Sequence, residues 1–217
     1  MSEQQLQTYL PFHQKEFWED FYTKKCTKGE TINWYFDLTK LDIPEFSLKN
    51  LSQQDEILII GPGTSSIVDY LFENGFEGVT LVDFSEAVMN NIKLKYKERD
   101  SWGLETINIL NVDKTIYKDV FSVVIDKGCI DCMLSDPKNA EENFIEAVNI
   151  VKDSLTQEGV FYYFSYGKLE ERVNLLFKVQ GIKYRVAVID MNNNGNEINK
   201  EFNASDNIYY LYIITRS

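Results

Sequence analysis

The sequence predicts an α/β fold with a doubly wound, mostly parallel sheet, and three observations carry that prediction. Short apolar runs at 57–60, 79–82 and 120–125 are rich in β-branched residues and have the length of strands buried on both faces. Between them lie segments whose apolar residues recur every three or four positions, as the crossover helices of a parallel sheet require. The chain then changes habit. Segments 184–189 and 208–215 read as two strands returning antiparallel through a polar Asn-Asn-Asn-Gly loop at 192–195. The expected architecture is a Rossmann-like, seven-stranded sheet ending in an antiparallel hairpin. An N-terminal helical and aromatic arm, residues 1–52, precedes the sheet domain, residues 53–217.

Taken in order, residues 12–26 place Phe17, Trp18, Phe21 and Tyr22 on one side of a helix, and a second aromatic group, Trp34, Tyr35 and Phe36, follows Gly29. Such stripes usually serve as core, but ahead of a nucleotide-binding strand they can also fold over a ligand. After the first strand, Gly61-Pro62-Gly63-Thr64-Ser65-Ser66 forms a tight turn, with Ser65 or Ser66 placed to cap the helix Ser66–Glu73. The second strand ends in Asp83 and Phe84, and Ser85 caps a helix expected to run to about Arg99 with Val88, Ile92 and Tyr96 inward. Residues 105–110 read as a third strand ending at Asn111-Val112-Asp113. The strand at 120–125 delivers Asp126-Lys127-Gly128 to the same sheet edge. A helix follows at 137–155, with Asp136 as its cap and Pro137 in its first position. Glu158-Gly159 turns into a strand at 160–164, and a short helix covers 169–178.

The βαβ unit carries the first functional signal. An acidic residue 22 positions after Gly61, at the carboxyl end of the second strand, stands where such sheets hold a ribose diol. The third glycine that would pack beside a dinucleotide's pyrophosphate is Ser66 here, which disfavours a nicotinamide site. S-adenosylmethionine needs the same turn and the same acid but carries no phosphate. A nicotinamide cofactor and a ligand-free turn stay open on these residues. If Asp83 holds a ribose, the adenine edge falls at Asn111 and Val112. Asp126, just past a buried strand at the ligand-binding edge, is the first candidate for chemistry near the cofactor's reactive end.

Composition bounds the rest. With 22 basic and 34 acidic residues the net charge is −12, which disfavours a nucleic-acid partner and either favours a cationic one or serves solubility alone. No apolar run reaches the roughly 18 residues of a membrane span. The first residues resemble neither a secretory signal nor a mitochondrial presequence, so a cytoplasmic location is expected. Cys129-Ile130-Asp131-Cys132 is formally C-x-x-C. Cys26 and His13 are remote in sequence, so these read as reduced thiols and no metal site is expected.

FWEDFYTKK at 17–25, NWY at 33–35, ILIIGPGTSS at 57–66, VTLVDFS at 79–85 and VVIDKGCIDCML at 123–134 together resemble the class I S-adenosylmethionine-dependent methyltransferases. Within that class the chain is most similar to the lysine methyltransferases of elongation factor one-alpha and of citrate synthase. The Asp-Lys-Gly followed by Asp131 is the most specific element. The resemblance implies S-adenosylmethionine as cofactor and a protein lysine, such as one on elongation factor one-alpha, as methyl acceptor. It implies cofactor contacts at Gly61, Gly63, Asp83 and Asn111, where the family usually has an acid. It also implies an arm carrying Trp34 and Tyr35 that closes over the cofactor. Ser65, Phe84, Val112 and Asp126 complete the expected cofactor set, with Asp126 orienting or relaying the acceptor's proton.

Overall fold

The protein is described from a computed structural model over residues 10–191 and 207–217, so the Asn-rich turn at 192–195 lies outside the described residues. Its centre is β3 (Ile57–Ile60), whose four residues are all buried. β3 pairs in parallel with β4 (Val79–Asp83) on one side and β6 (Phe121–Lys127) on the other. β5 (Gly103–Thr106) lies outside β4, and β7 (Leu155–Ser165) lies outside β6, both parallel. The chain returns through β8 (Ile182–Asp190) and β9 (Ile208–Arg216), with β9 inserted antiparallel between β7 and β8. The seven-stranded order β5-β4-β3-β6-β7-β9-β8 is the expected sheet with its antiparallel end.

Two apolar layers follow from the period-two alternation of the strands. Ile57, Ile59, Leu81 and Ile125 face one core, which they share with Ile67 and Leu71 of α2 (Ser66–Glu73) and Met89 and Ile92 of α3 (Glu86–Lys95). The arm packs into that same layer through Trp18 and Tyr22 of α1 (Lys15–Cys26), then Tyr35, Phe36, Leu38, and Phe46 of a two-residue ribbon, β1 (Asp42–Ile43) with β2 (Phe46–Ser47). Leu58, Ile60, Val82, Val124 and Tyr163 face the other core, against Phe144, Val148 and Val151 of α6 (Ala140–Ser154). Burying a side chain such as Phe144 completely is worth about 1.5–3 kcal/mol, so the sheet is held from both sides.

Several boundaries differ from the sequence expectation. The third strand is not 105–110. β5 is an edge strand with one neighbour, its pairing ends at Thr106 opposite Asp83, and the chain then makes a 3-10 turn at Ile109–Asn111. The Asn108 side chain accepts from the Leu110 amide and supplies locally what the ladder no longer can. α3 stops at Lys95 rather than near Arg99. α6 begins at Ala140, not Pro137, because the Asp136 carboxylate takes the Lys138 and Asn139 amides and closes a turn before the helix. Glu158-Gly159 is no turn either. β7 starts at Leu155, and a register shift opposite Phe121 and Val123 absorbs the extra residues. The short helix after β7 is α7, Leu169–Leu176.

Strands numbered outward in both directions from β3 make the crevice above β3 and β6 a topological switch point, where open α/β sheets bind ligands. α5 (Cys129–Met133) lines that crevice, and α4 (Lys114–Tyr117) packs beside α6.

Candidate functional site

The glycine turn is built for close approach. Gly61 and Gly63 have φ of +58° and +53°. A Cβ on Gly61 would stand 2.6 Å from that of Cys129, and one on Gly63 would stand 2.3 Å from the Tyr22 hydroxyl. Ser65 occupies the cap position of α2, but its hydroxyl makes no cap. It donates instead to Asn33 Oδ1 at 2.9 Å, and the same oxygen accepts the Ser66 amide at 3.1 Å. The helix is therefore capped across the fold, by the arm.

Asp83 ends β4 facing this turn and is 7% exposed. Its carboxylate accepts the Gly63 amide at 3.2 Å and the Ser85 amide at 2.9 Å. Burial pushes its pKa up to about 6, against the pull of those amides. Two amide donors leave lone pairs free on both oxygens.

A cavity of about 810 Å³ opens at the switch point. Of the residues singled out in the sequence, Trp34, Tyr35, Gly61, Asp83 and Phe84 line it. Gly63 and Ser65 do not; they shape the turn from behind. Asn111 is exposed and Val112 is buried in the second core, because the 3-10 turn carries them away, and Asn108, Ile109 and Leu110 form that wall in their place. Asp126 needs the largest correction. It has zero exposure and lies behind the wall; one oxygen accepts the Ile130 amide at 3.1 Å and the other has no hydrogen-bond partner. Burial, and then the neighbouring Asp131, push its carboxyl well above the usual range. An acid enclosed behind the wall does not face an incoming amine.

The adjacent residues take the cavity wall instead. Strand alternation turns the half-buried Lys127 to the cavity, where Nζ donates to the Trp34 carbonyl and lies 6.0 Å from the centre of the Tyr35 ring. Burial brings its pKa down to about 7. Trp18 and Tyr22, read from the sequence as a helix stripe, form the arm's side of the cavity, and Trp34 Nε1 donates to the Tyr22 hydroxyl at 3.0 Å. Their i, i+4 spacing was legible, their destination was not. Asp131, with Tyr166 and Arg172, closes the far side. Cys129 and Cys132 also line the cavity, but burial pushes both thiols well up, which leaves them protonated and poorly nucleophilic. Among the described residues no group of three or more His, Cys, Asp or Glu side chains could hold a metal ion, and no helix is long and apolar enough to cross a membrane.

No family model matches the chain. In sequence it is 28% identical over 152 residues to mouse EEF1A lysine methyltransferase 4, an alignment covering 67% of this chain and 56% of that protein. It is 31% identical over 136 residues to mouse eEF1A lysine and N-terminal methyltransferase, covering 58% of this chain and 18% of that one. A homolog of the latter from Drosophila pseudoobscura pseudoobscura matches 90% of this chain at 25% identity, over 28% of its own length. The chain thus spans about half the length of the first relative and under a third of the other two. Among solved structures, a TehB-like SAM-dependent methyltransferase from Corynebacterium glutamicum superposes with a TM-score of 0.58 at 14% identity, covering 94% of this chain and 98% of that one. The N-methyltransferase NodS from Bradyrhizobium japonicum, in complex with S-adenosyl-L-homocysteine, superposes at 0.52 with 10% identity, covering 74% and 76%. The fold is that of the class I methyltransferases, and the resemblance read from the motifs agrees with the relatives found.

Proposed function

We propose that the chain is an S-adenosylmethionine-dependent methyltransferase acting on a protein lysine, with elongation factor one-alpha or a similarly basic surface as substrate. The single observation that carries this reading is the meeting of the Gly61 turn, the inward-facing Asp83 carboxylate and the aromatic arm in one cavity at the switch point. The relatives' names and the net charge of −12 support the choice of substrate.

The residues present fit the cofactor. Asp83 has free lone pairs for a ribose diol, Gly61 leaves room for the methionine part, and Phe84, Ile109 and Leu110 offer apolar surface for an adenine ring. Lys127 lies on the same wall with its Nζ donating to the Trp34 carbonyl and its pKa brought down to about 7 by burial. When bound, the cofactor supplies an electrophilic methyl group on sulfur. The protein must bring a neutral amine in line with it. At a lysine pKa near 10.4, neutralising the amine at pH 7.4 costs about 4 kcal/mol. Excluding water from the cavity, whose wall includes the Trp34, Tyr35 and Tyr166 rings, lowers that cost by desolvating the ammonium form, and holding both reactants supplies much of the remaining acceleration.

The test is incubation of the purified protein with labelled S-adenosylmethionine and a cytosolic extract. Label on one protein band, lost in Asp83→Ala and assigned to lysine by mass spectrometry, is the expected result. Label confined to small molecules would replace this reading with a small-substrate methyltransferase.

A further inference from the structure

The carboxylate of Asp131 is the most heavily engaged polar group on the cavity wall. It accepts from the Tyr35 hydroxyl at 2.9 Å, the Tyr163 hydroxyl at 2.5 Å, the Tyr166 amide at 3.1 Å and Arg172 Nε at 3.0 Å. The Ser165 hydroxyl lies 2.8 and 2.9 Å from its two oxygens. These donors come from the arm, from β7 and the residue after it, and from α7. A carboxylate offers about four lone-pair sites, so this one is saturated. Its side chain is 1% exposed and that of Arg172 is 9%. Saturated and neutralised, it has nothing left with which to bind a substrate ammonium.

A buried pair of this kind is a weak source of stability against an apolar replacement, so its use is to fix geometry. The geometry it fixes is that of the arm. Lys127 holds the Trp34 carbonyl, and Gly128, with φ of +91°, allows the Tyr35 ring against the backbone, where a Cβ would stand 3.0 Å from the hydroxyl. Three points of the Asp-Lys-Gly-x-x-Asp segment therefore meet two consecutive arm residues. Tyr35 itself has φ of +65°, a conformation that a tyrosine keeps only where its surroundings over-determine it. The same arm carries Trp18, Tyr22 and Trp34 to the cavity.

We propose that Asp131 is a positioning residue: through the Tyr35 hydroxyl it latches the N-terminal arm to β7 and α7 on the cavity wall, and so sets how tightly the arm closes on a bound cofactor. The last clause rests on the cofactor reading above; the latch itself does not.

Hydrogen–deuterium exchange on the folded, ligand-free protein tests it. Tyr35→Phe removes one donor and keeps the ring. Amides of the arm between residues 15 and 36 are expected to exchange about tenfold faster, the factor for one lost hydrogen bond to a charged group, while those of β3, β4 and β6 keep the parent's rates. Ser165→Ala deletes a donor to the same carboxylate but none from the arm, and leaves arm exchange unchanged. Stopped-flow tryptophan fluorescence then shows S-adenosylmethionine released several-fold faster from Tyr35→Phe. Arm exchange identical to the parent's would overturn the proposal. So would equal acceleration of arm and sheet in both variants, which is what a merely structural role gives. Failure of the parent to bind S-adenosylmethionine would refute the functional reading and leave the exchange result to decide the latch.

Discussion

Replacing Asp83 by asparagine separates what this residue does for the fold from what it does for a ligand. The folded pKa of about 6 lies roughly two units above the ordinary 3.9, so keeping Asp83 ionised at pH 7 costs about 3 kcal/mol of stability. The sign follows from the direction of the shift. With the folded pKa raised, the acid's contribution to stability is fully present below about pH 4 and is lost as pH rises through 6. Asparagine removes that cost at pH 8. It can accept from the Gly63 amide or the Ser85 amide but turns an NH₂ toward the other, losing about 1 kcal/mol. The net gain is about 2 kcal/mol, a rise in melting temperature of several degrees at pH 8 that vanishes near pH 4. Cofactor binding moves the opposite way. A ribose hydroxyl loses a charged acceptor worth about 1.5–3 kcal/mol, so the dissociation constant rises tenfold to a hundredfold. Calorimetric titration with S-adenosylmethionine and thermal melts at both pH values read the two effects. An unchanged dissociation constant would show that Asp83 does not touch the ligand, and a melting temperature at pH 8 below the parent's would show that its buried charge does not cost stability.

The same carboxylate makes cofactor affinity pH-dependent in the parent. Calorimetry from pH 5 to 8 should show binding tighten as pH rises through about 6 and level off above it, whereas a flat profile removes Asp83 from the ligand contact. Asp126→Asn should lower the methyl-transfer rate less than about threefold, since the group is fully buried and does not line the cavity; a loss of the 10²–10⁴-fold attributed to general bases would restore Asp126 to the chemistry. Asn33→Ala uncaps α2 and should cost about 0.5–2 kcal/mol in chemical denaturation, with no change meaning that the Ser66 amide finds another acceptor. Gly63→Ala combines an unfavourable φ with a 2.3 Å approach to the Tyr22 hydroxyl. It should lower the melting temperature and shift tryptophan emission as Trp34 loses its place against Tyr22, and an unshifted spectrum would count against the contact.

How far each element was legible depends on how local its determinants are. β3, α2 and β4 sit where the sequence puts them because an apolar run, two glycines and a helical period act over a few residues each. The elements that moved lack such signals. Residues 105–110 carry alternating apolar residues that suit a strand, yet β5 has a single neighbour, and the Asn108 side chain offers a competing local bond at the point where that neighbour ends. Leu155 completes a helical period and still begins β7, since the ladder with β6 claims it.

The site divides along the same line. Gly61, Asp83 and Phe84 were readable because the end of a parallel strand at the switch point has one direction to face. Asp126 was misread by one step of the strand's alternation: it points inward beside Ile60, and Lys127 points to the cavity. Asp131 could not have been assigned at all, since Tyr35 lies 96 residues from it in sequence and Arg172 lies 41. β3, the glycine turn and the acid that answers it could be read from the residues alone, because each rests on signals spanning a few positions. Which carboxylate faces the cavity, what caps α2 and what holds the arm emerged from the assembled fold, because each depends on segments distant in sequence packing together: β6 beside β3, Asn33 on Ser66, Tyr35 on Asp131.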